Sequence, residues 1–79
     1  FFPENDHSIR IPASAPHQNA EYVVSIGTEI WEGEPQRVVK VQMAYNGKIS
    51  GRRSPSFPDG TNDYKLVCDA IRKIASHEK

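Results

Sequence analysis

Cysteine, histidine and clustered carboxylates are the side chains of this 79-residue sequence with the means to do chemistry, and their spacing argues against each in turn. Cys68 is the only cysteine, which excludes an internal disulfide and any structural zinc site that takes two thiolates from one chain. It sits among apolar residues at helical spacing, where a cysteine serves as a small buried hydrophobe. His77, nine positions on, is ~180° away around a helix and cannot act as its base. His7 and His17, with Asp6, lack the His-x-His or His-x-x-x-His spacing of a rigid metal site and are expected to face solvent. Glu29, Glu32 and Glu34 cluster at a turn, with no apolar pocket implied that would raise a carboxyl pKa for acid-base work. Gly47-Lys48 and Gly51-Arg52 lack the run of glycines entering a helix that makes a phosphate loop. No catalytic residue, metal site or cofactor is therefore expected, and the chain reads as a non-enzyme.

Charge is the next signal. Net charge is zero, but residues 1–34 carry six acids against Arg10, giving −5, and residues 35–79 carry nine bases against four acids, giving +5. Between Pro35 and Pro58 stand Arg37, Lys40, Lys48, Arg52 and Arg53 with no acid among them. Either the halves neutralise one another across the fold or an assembly interface, or the basic stretch receives an anionic partner such as nucleic acid.

The elements that must position these residues follow from periodicity. Residues 1–20, with Pro3, Pro12 and Pro16, read as an extended or partly disordered arm. Within it Ser8 to Ile11 can add a short edge strand, with Ile9 and Ile11 on one face and Pro12 ending it. Residues 21–79 read as a single domain of β-β-β-α order. From Tyr22 to Trp31 apolar residues alternate, with Tyr22, Val24, Ile26, Thr28 and Ile30 on one face. A turn at Glu32-Gly33-Glu34-Pro35 leads to a second strand, Arg37 to Tyr45. Pairing Ile30 with Val39 sets Ile26 against Met43 and Val24 against Tyr45, and on the reverse face Glu29 against Lys40 and Trp31 against Val38. After Asn46-Gly47 a three-residue bulged loop is preferred, because a two-residue turn puts Lys48, Ser50 and Arg52 on the core face.

Thr61 is a natural cap for a helix over 62–76. Its stripe is Tyr64, Val67, Cys68, Ile71, Ile74 and Ala75, expected to cover the sheet face that carries Ile26, Val41 and Met43. The fold class is thus α+β, a three-stranded antiparallel meander packed on one C-terminal helix, with an extended N-terminal arm.

In element order, with Arg52-Arg53 and Phe57, the stretch from Tyr22 to Ile74 is similar to the three-strand-plus-helix DNA-binding folds of integrase arm domains and plant ethylene-response-factor domains. It also resembles the last half of a double-stranded-RNA-binding domain. The resemblance implies a sheet or basic hairpin that contacts nucleic acid. Glu29, Glu32 and Glu34 stand where such a sheet would carry bases, and the helix lacks clustered lysines.

A helix on one sheet face leaves the other open, and Trp31 with Val23 and Val38, beside Lys40, would form an adhesive patch there. A core this small gains from a partner subunit. The expected function is a small non-catalytic protein-interaction or self-assembly module, a homo-oligomer with a dimer preferred. The alternative is a nucleic-acid-binding domain using Arg37, Lys40, Lys48, Arg52 and Arg53. No apolar run approaches the ~18 residues of a membrane span and the first residues lack a secretory pattern, so a cytoplasmic chain without membrane contact is expected; a targeting segment missing from the sequence would change that.

Overall fold

The computed structural model describes residues 1–14, 19–50 and 54–76, the side chains of 5–7 and 76 excepted. Its elements are β1 (Phe2–Pro12), β2 (Ala20–Trp31), β3 (Glu34–Tyr45), β4 (Lys48–Ser50) and α1 (Asp63–Ser76). The strands form one antiparallel sheet in the order β1-β2-β3-β4, so the class is α+β with a C-terminal helix. Among the described residues no helix is long and apolar enough to cross a membrane.

The sheet has four strands where three were expected, because the stretch read as an arm is β1. Ser8 to Pro12 pairs in register with Val23–Ser25 and the residues before them, and Ile9 and Ile11 pack on the core. The prolines do not prevent this, since Pro3 lies beside a break in register and Pro12 ends the strand at an edge.

The β2–β3 faces are as the alternation predicts, but the register differs by four residues: Ile30 lies opposite Pro35, Ile26 opposite Val39 and Tyr22 opposite Met43. An even slide keeps every side chain on its face, so the apolar pattern could not distinguish the two registers. Turn chemistry decides. Glu32 and Gly33 form the whole loop, with φ of 51° and 83°, the two left-handed residues of a type I′ hairpin. Asn46 and Gly47 repeat this geometry, with φ of 53° and 82°, and pair Tyr45 with Lys48. The expected bulged loop is therefore absent. Its premise, that Lys48 would be buried, fails because α1 lies on β1 and β2, leaving the same face of β4 open and Lys48 exposed.

One glycine is required by close packing. A Cβ on Gly27 would come 2.5 Å from the Phe2 carbonyl oxygen and 2.7 Å from the Phe1 ring, so the start of β1 lies against bare backbone.

On α1 the buried residues are Asp63, Val67, Ala70 and Ile74, with Ile71 partly buried against the same core. The expected stripe is turned by roughly 60°, at about 100° per residue: Ala70 enters, Tyr64 and Ala75 are exposed, and Cys68 is half-buried. Asn62 precedes the helix as its cap, its carbonyl accepting the Leu66 N–H at 3.0 Å. The Thr61 hydroxyl accepts the Asp63 N–H at 3.4 Å and donates to the Pro58 carbonyl at 2.7 Å. The core joins this helix face to Ala20, Tyr22, Val24, Ile26 and Met43.

Candidate functional site

The β2–β3 hairpin is longer than the helix that covers it. Twelve-residue strands span about 36 Å end to end, whereas a fourteen-residue helix spans about 21 Å. α1 begins beside Tyr22, through Asp63, and near its end Ala75 lines a groove of about 210 Å³ with Ile26, Arg37, Val38 and Val39. Beyond that groove the hairpin has no cover among the described residues, and its apolar side chains are wet. Ile30 is 57% exposed and Trp31 55%. Being consecutive in a strand, they point to opposite faces. Phe2, across from Thr28, and Val39 extend the exposed apolar surface on the helix-bearing face.

Carboxylates hold the cations of this end. Glu4 receives the Arg37 guanidinium in two-point fashion, at 2.7 and 2.9 Å, across the strand between them, and this keeps the guanidinium pKa above its ordinary value. On the other face Glu29 accepts from Lys40 Nζ and, at 3.1 Å, from the Trp31 indole N–H. Those two bonds, Lys40 foremost, hold the Glu29 carboxyl below the usual range. Lys40 also stands 5.2 Å from the centroid of the Phe1 ring.

The predicted interaction residues separate accordingly. Trp31 is exposed. Val38 is half-buried and Lys40 is occupied by Glu29. Val23 is a correction, at 2% exposure: it lies on an inner strand, flanked by Arg10 across one ladder and Gln42 across the other, so it contributes nothing to an adhesive patch. Nor are the described cations among those proposed for nucleic acid gathered in one place. Arg37 and Lys40 carry carboxylate partners, Lys48 is exposed at the opposite end of β3, and Arg52 and Arg53 lie outside the described residues. His17, His77 and the side chains of Asp6 and His7 also lie outside them.

Two features at the far end were not foreseen. The first is a buried carboxylate. Asp63, 2% exposed, accepts from the Ser14 hydroxyl, from the Ser14 N–H at 3.1 Å and from the Tyr22 hydroxyl at 2.7 Å. The Ser14 bonds do most to keep its pKa below the ordinary carboxylate value, against the opposing effect of burial. Burial and then Asp63 push the Tyr22 phenol up to about 12. A carboxylate that accepts three bonds and a phenol that stays protonated form a structural clamp. The sequence signal for it was thin: Asp63 precedes Val67, Ala70 and Ile74 at i+4, i+7 and i+11.

The second is a cavity of about 600 Å³ beside this clamp, lined by Ala13, Ala20, Tyr22, Met43, Tyr45 and the 54–58 segment apart from Pro55. Phe57 stacks on Tyr22 at 5.2 Å and meets Tyr64 edge-on at 5.4 Å, so an aromatic run forms part of its wall.

No protein-family model, curated protein or solved structure matches the chain.

Proposed function

We propose that this chain is a small non-catalytic protein-interaction module that associates with itself, and that the uncovered end of the β2–β3 hairpin is its contact surface. The observation that carries this reading is the joint exposure of Ile30 and Trp31, on opposite faces of one hairpin end, with Phe2 and Val39 exposed further along the face that carries Ile30. Exposed apolar groups gathered at one end of a small chain are the composition of an interface centre, where tryptophan is the most favoured anchor. The pairing of Arg37 with Glu4 and Lys40 with Glu29 supports the same reading, because it removes net charge from a surface that must dehydrate on contact.

The test is sedimentation velocity from low to high micromolar protein. Association that rises with concentration and is weakened in both Ile30→Lys and Trp31→Ala supports the proposal. A strict monomer throughout, or variants that associate as wild type does, contradicts it. Nucleic-acid binding draws less support, since two of its proposed contacts already carry carboxylate partners. A salt-sensitive shift with DNA or RNA at low ionic strength would favour it instead.

A further inference from the structure

Resting on that reading, we infer that the partner surface for Trp31 is the 600 Å³ cavity at the other end of a second copy of this chain, so that copies join head to tail through an aromatic knob and an aromatic-walled hole.

Three observations meet here. Trp31 is a large, half-exposed aromatic at the tip of a hairpin. The cavity lies at the opposite end of that hairpin, because Ala20 and Tyr45, which line it, pair with one another eleven positions along β2 from Trp31. The two are about 36 Å apart along the strand, in a molecule whose longest dimension is 39 Å, so no chain can fill its own cavity with its own tryptophan. A volume of about 600 Å³ is within the ~300–1,000 Å³ of pockets that enclose an organic ligand, and it admits an indole with room for the neighbouring backbone.

The walls suit this occupant. Tyr22, Tyr45, Phe57 and Met43 offer ring faces and a polarizable thioether to an indole. Ser54 and Ser56 offer hydroxyl oxygens that replace the Glu29 acceptor of its N–H, the bond the indole gives up on entering. Charge is complementary as well. Glu32 and Glu34 flank the tryptophan on the hairpin tip, whereas Lys48 pairs with Tyr45, a residue of the cavity wall, and no acid is among the described residues that line it. A like-to-like contact between two tips would bring their glutamates together. A tip-to-cavity contact brings glutamate to lysine.

The experiment is complementation between two variants. Trp31→Ala removes the knob and keeps the hole. Ser56→Tyr places a ring in the hole from an exposed position and keeps the knob. Each alone is expected to associate at least about tenfold more weakly than wild type. Mixed in equal amounts they are expected to form a heterodimer, detected by sedimentation, because the tryptophan of one chain meets the open cavity of the other. Lys48→Glu, at an exposed position, is a second probe: it should weaken association, and mixing it with Glu32→Lys should restore it. If Ser56→Tyr and Lys48→Glu associate like wild type while Trp31→Ala does not, the hairpin end is still the contact surface but the cavity is not its mate, and the inference fails alone. If Trp31→Ala itself associates like wild type, the hairpin-end reading fails with it. A mixture of the two weakened variants that stays monomeric also overturns the inference.

Discussion

The Tyr22 hydroxyl lies 2.7 Å from Asp63 Oδ2, and this contact ties β2 to the first residue of α1 across forty-one positions of sequence. With Ser14 on the same carboxylate, it locks together the exit of β1, the start of β2 and the helix N-terminus. It also fixes which side of the helix faces inward, since a buried Asp63 turns Val67, Ala70 and Ile74 onto the sheet and Tyr64 away from it.

Tyr22→Phe should therefore destabilise the fold by about 1–3 kcal/mol, the cost of taking one donor from a buried charged acceptor while leaving the ring in place. Denaturant unfolding measures it. Asp63→Asn should lower the melting temperature more, because the Ser14 and Tyr22 donors face a weaker acceptor. A thermal midpoint unchanged in both variants would show the clamp to be idle.

The pH dependence follows from the same pair. The Asp63 pKa is depressed in the folded chain, so its contribution is complete above the unfolded value of about 3.9 and is lost as pH falls through the folded value. The Tyr22 pKa is raised to about 12, so its contribution is complete below the unfolded value of about 10 and is lost as pH rises towards 12. Stability should be level between these limits and fall outside them. Asp63→Asn should differ least from wild type at the acid end, and urea midpoints across the range would reveal this.

Gly27→Ala should be disruptive although it adds only one methyl. That methyl would meet the Phe2 carbonyl and Pro3 Cα, both backbone atoms, at 2.5 and 2.8 Å, so the start of β1 must lift from β2. A loss of about 1–3 kcal/mol, as for overpacking, is expected. Amide exchange at Phe2 should rise together with that at Thr28. Exchange unchanged at those amides would contradict the close approach.

Arg37→Ala tests a different scale. The Glu4–Arg37 bridge is partly solvated, with side chains 36% and 47% exposed, and exposed pairs contribute about 0.2–1 kcal/mol. The expected destabilisation is of that size and shrinks in high salt. A double-mutant cycle with Glu4→Ala separates the coupling from lost packing.

The sequence carried the faces of the sheet because alternation has period two, and a four-residue slip preserves it. It did not carry the register, since Glu32 gives no warning that it will adopt a left-handed φ. β1 was obscured by Pro3 and Pro12, which stand before the break in its register and at its end rather than inside the paired run from Ser8 to Ile11. The helix face was misjudged because nothing close to Asp63 in sequence marks that carboxylate as buried. The donors that bury it come from Ser14 and Tyr22, remote in sequence. Of the candidate site, Trp31 was legible as an aromatic on the sheet face away from the helix, and it is exposed. Its companions Ile30 and Phe2 were not, because their exposure depends on where the helix stops.

Trp31 is the only tryptophan in the chain, so its fluorescence reports on the proposed contact without labelling. Acrylamide quenching of that emission, followed from low to high micromolar protein alongside light scattering, should weaken as the mean mass rises, with a shift of the emission to shorter wavelength. Emission and quenching that stay constant, with scattering of a monomer at every concentration, would contradict the assembly of this chain through its hairpin end.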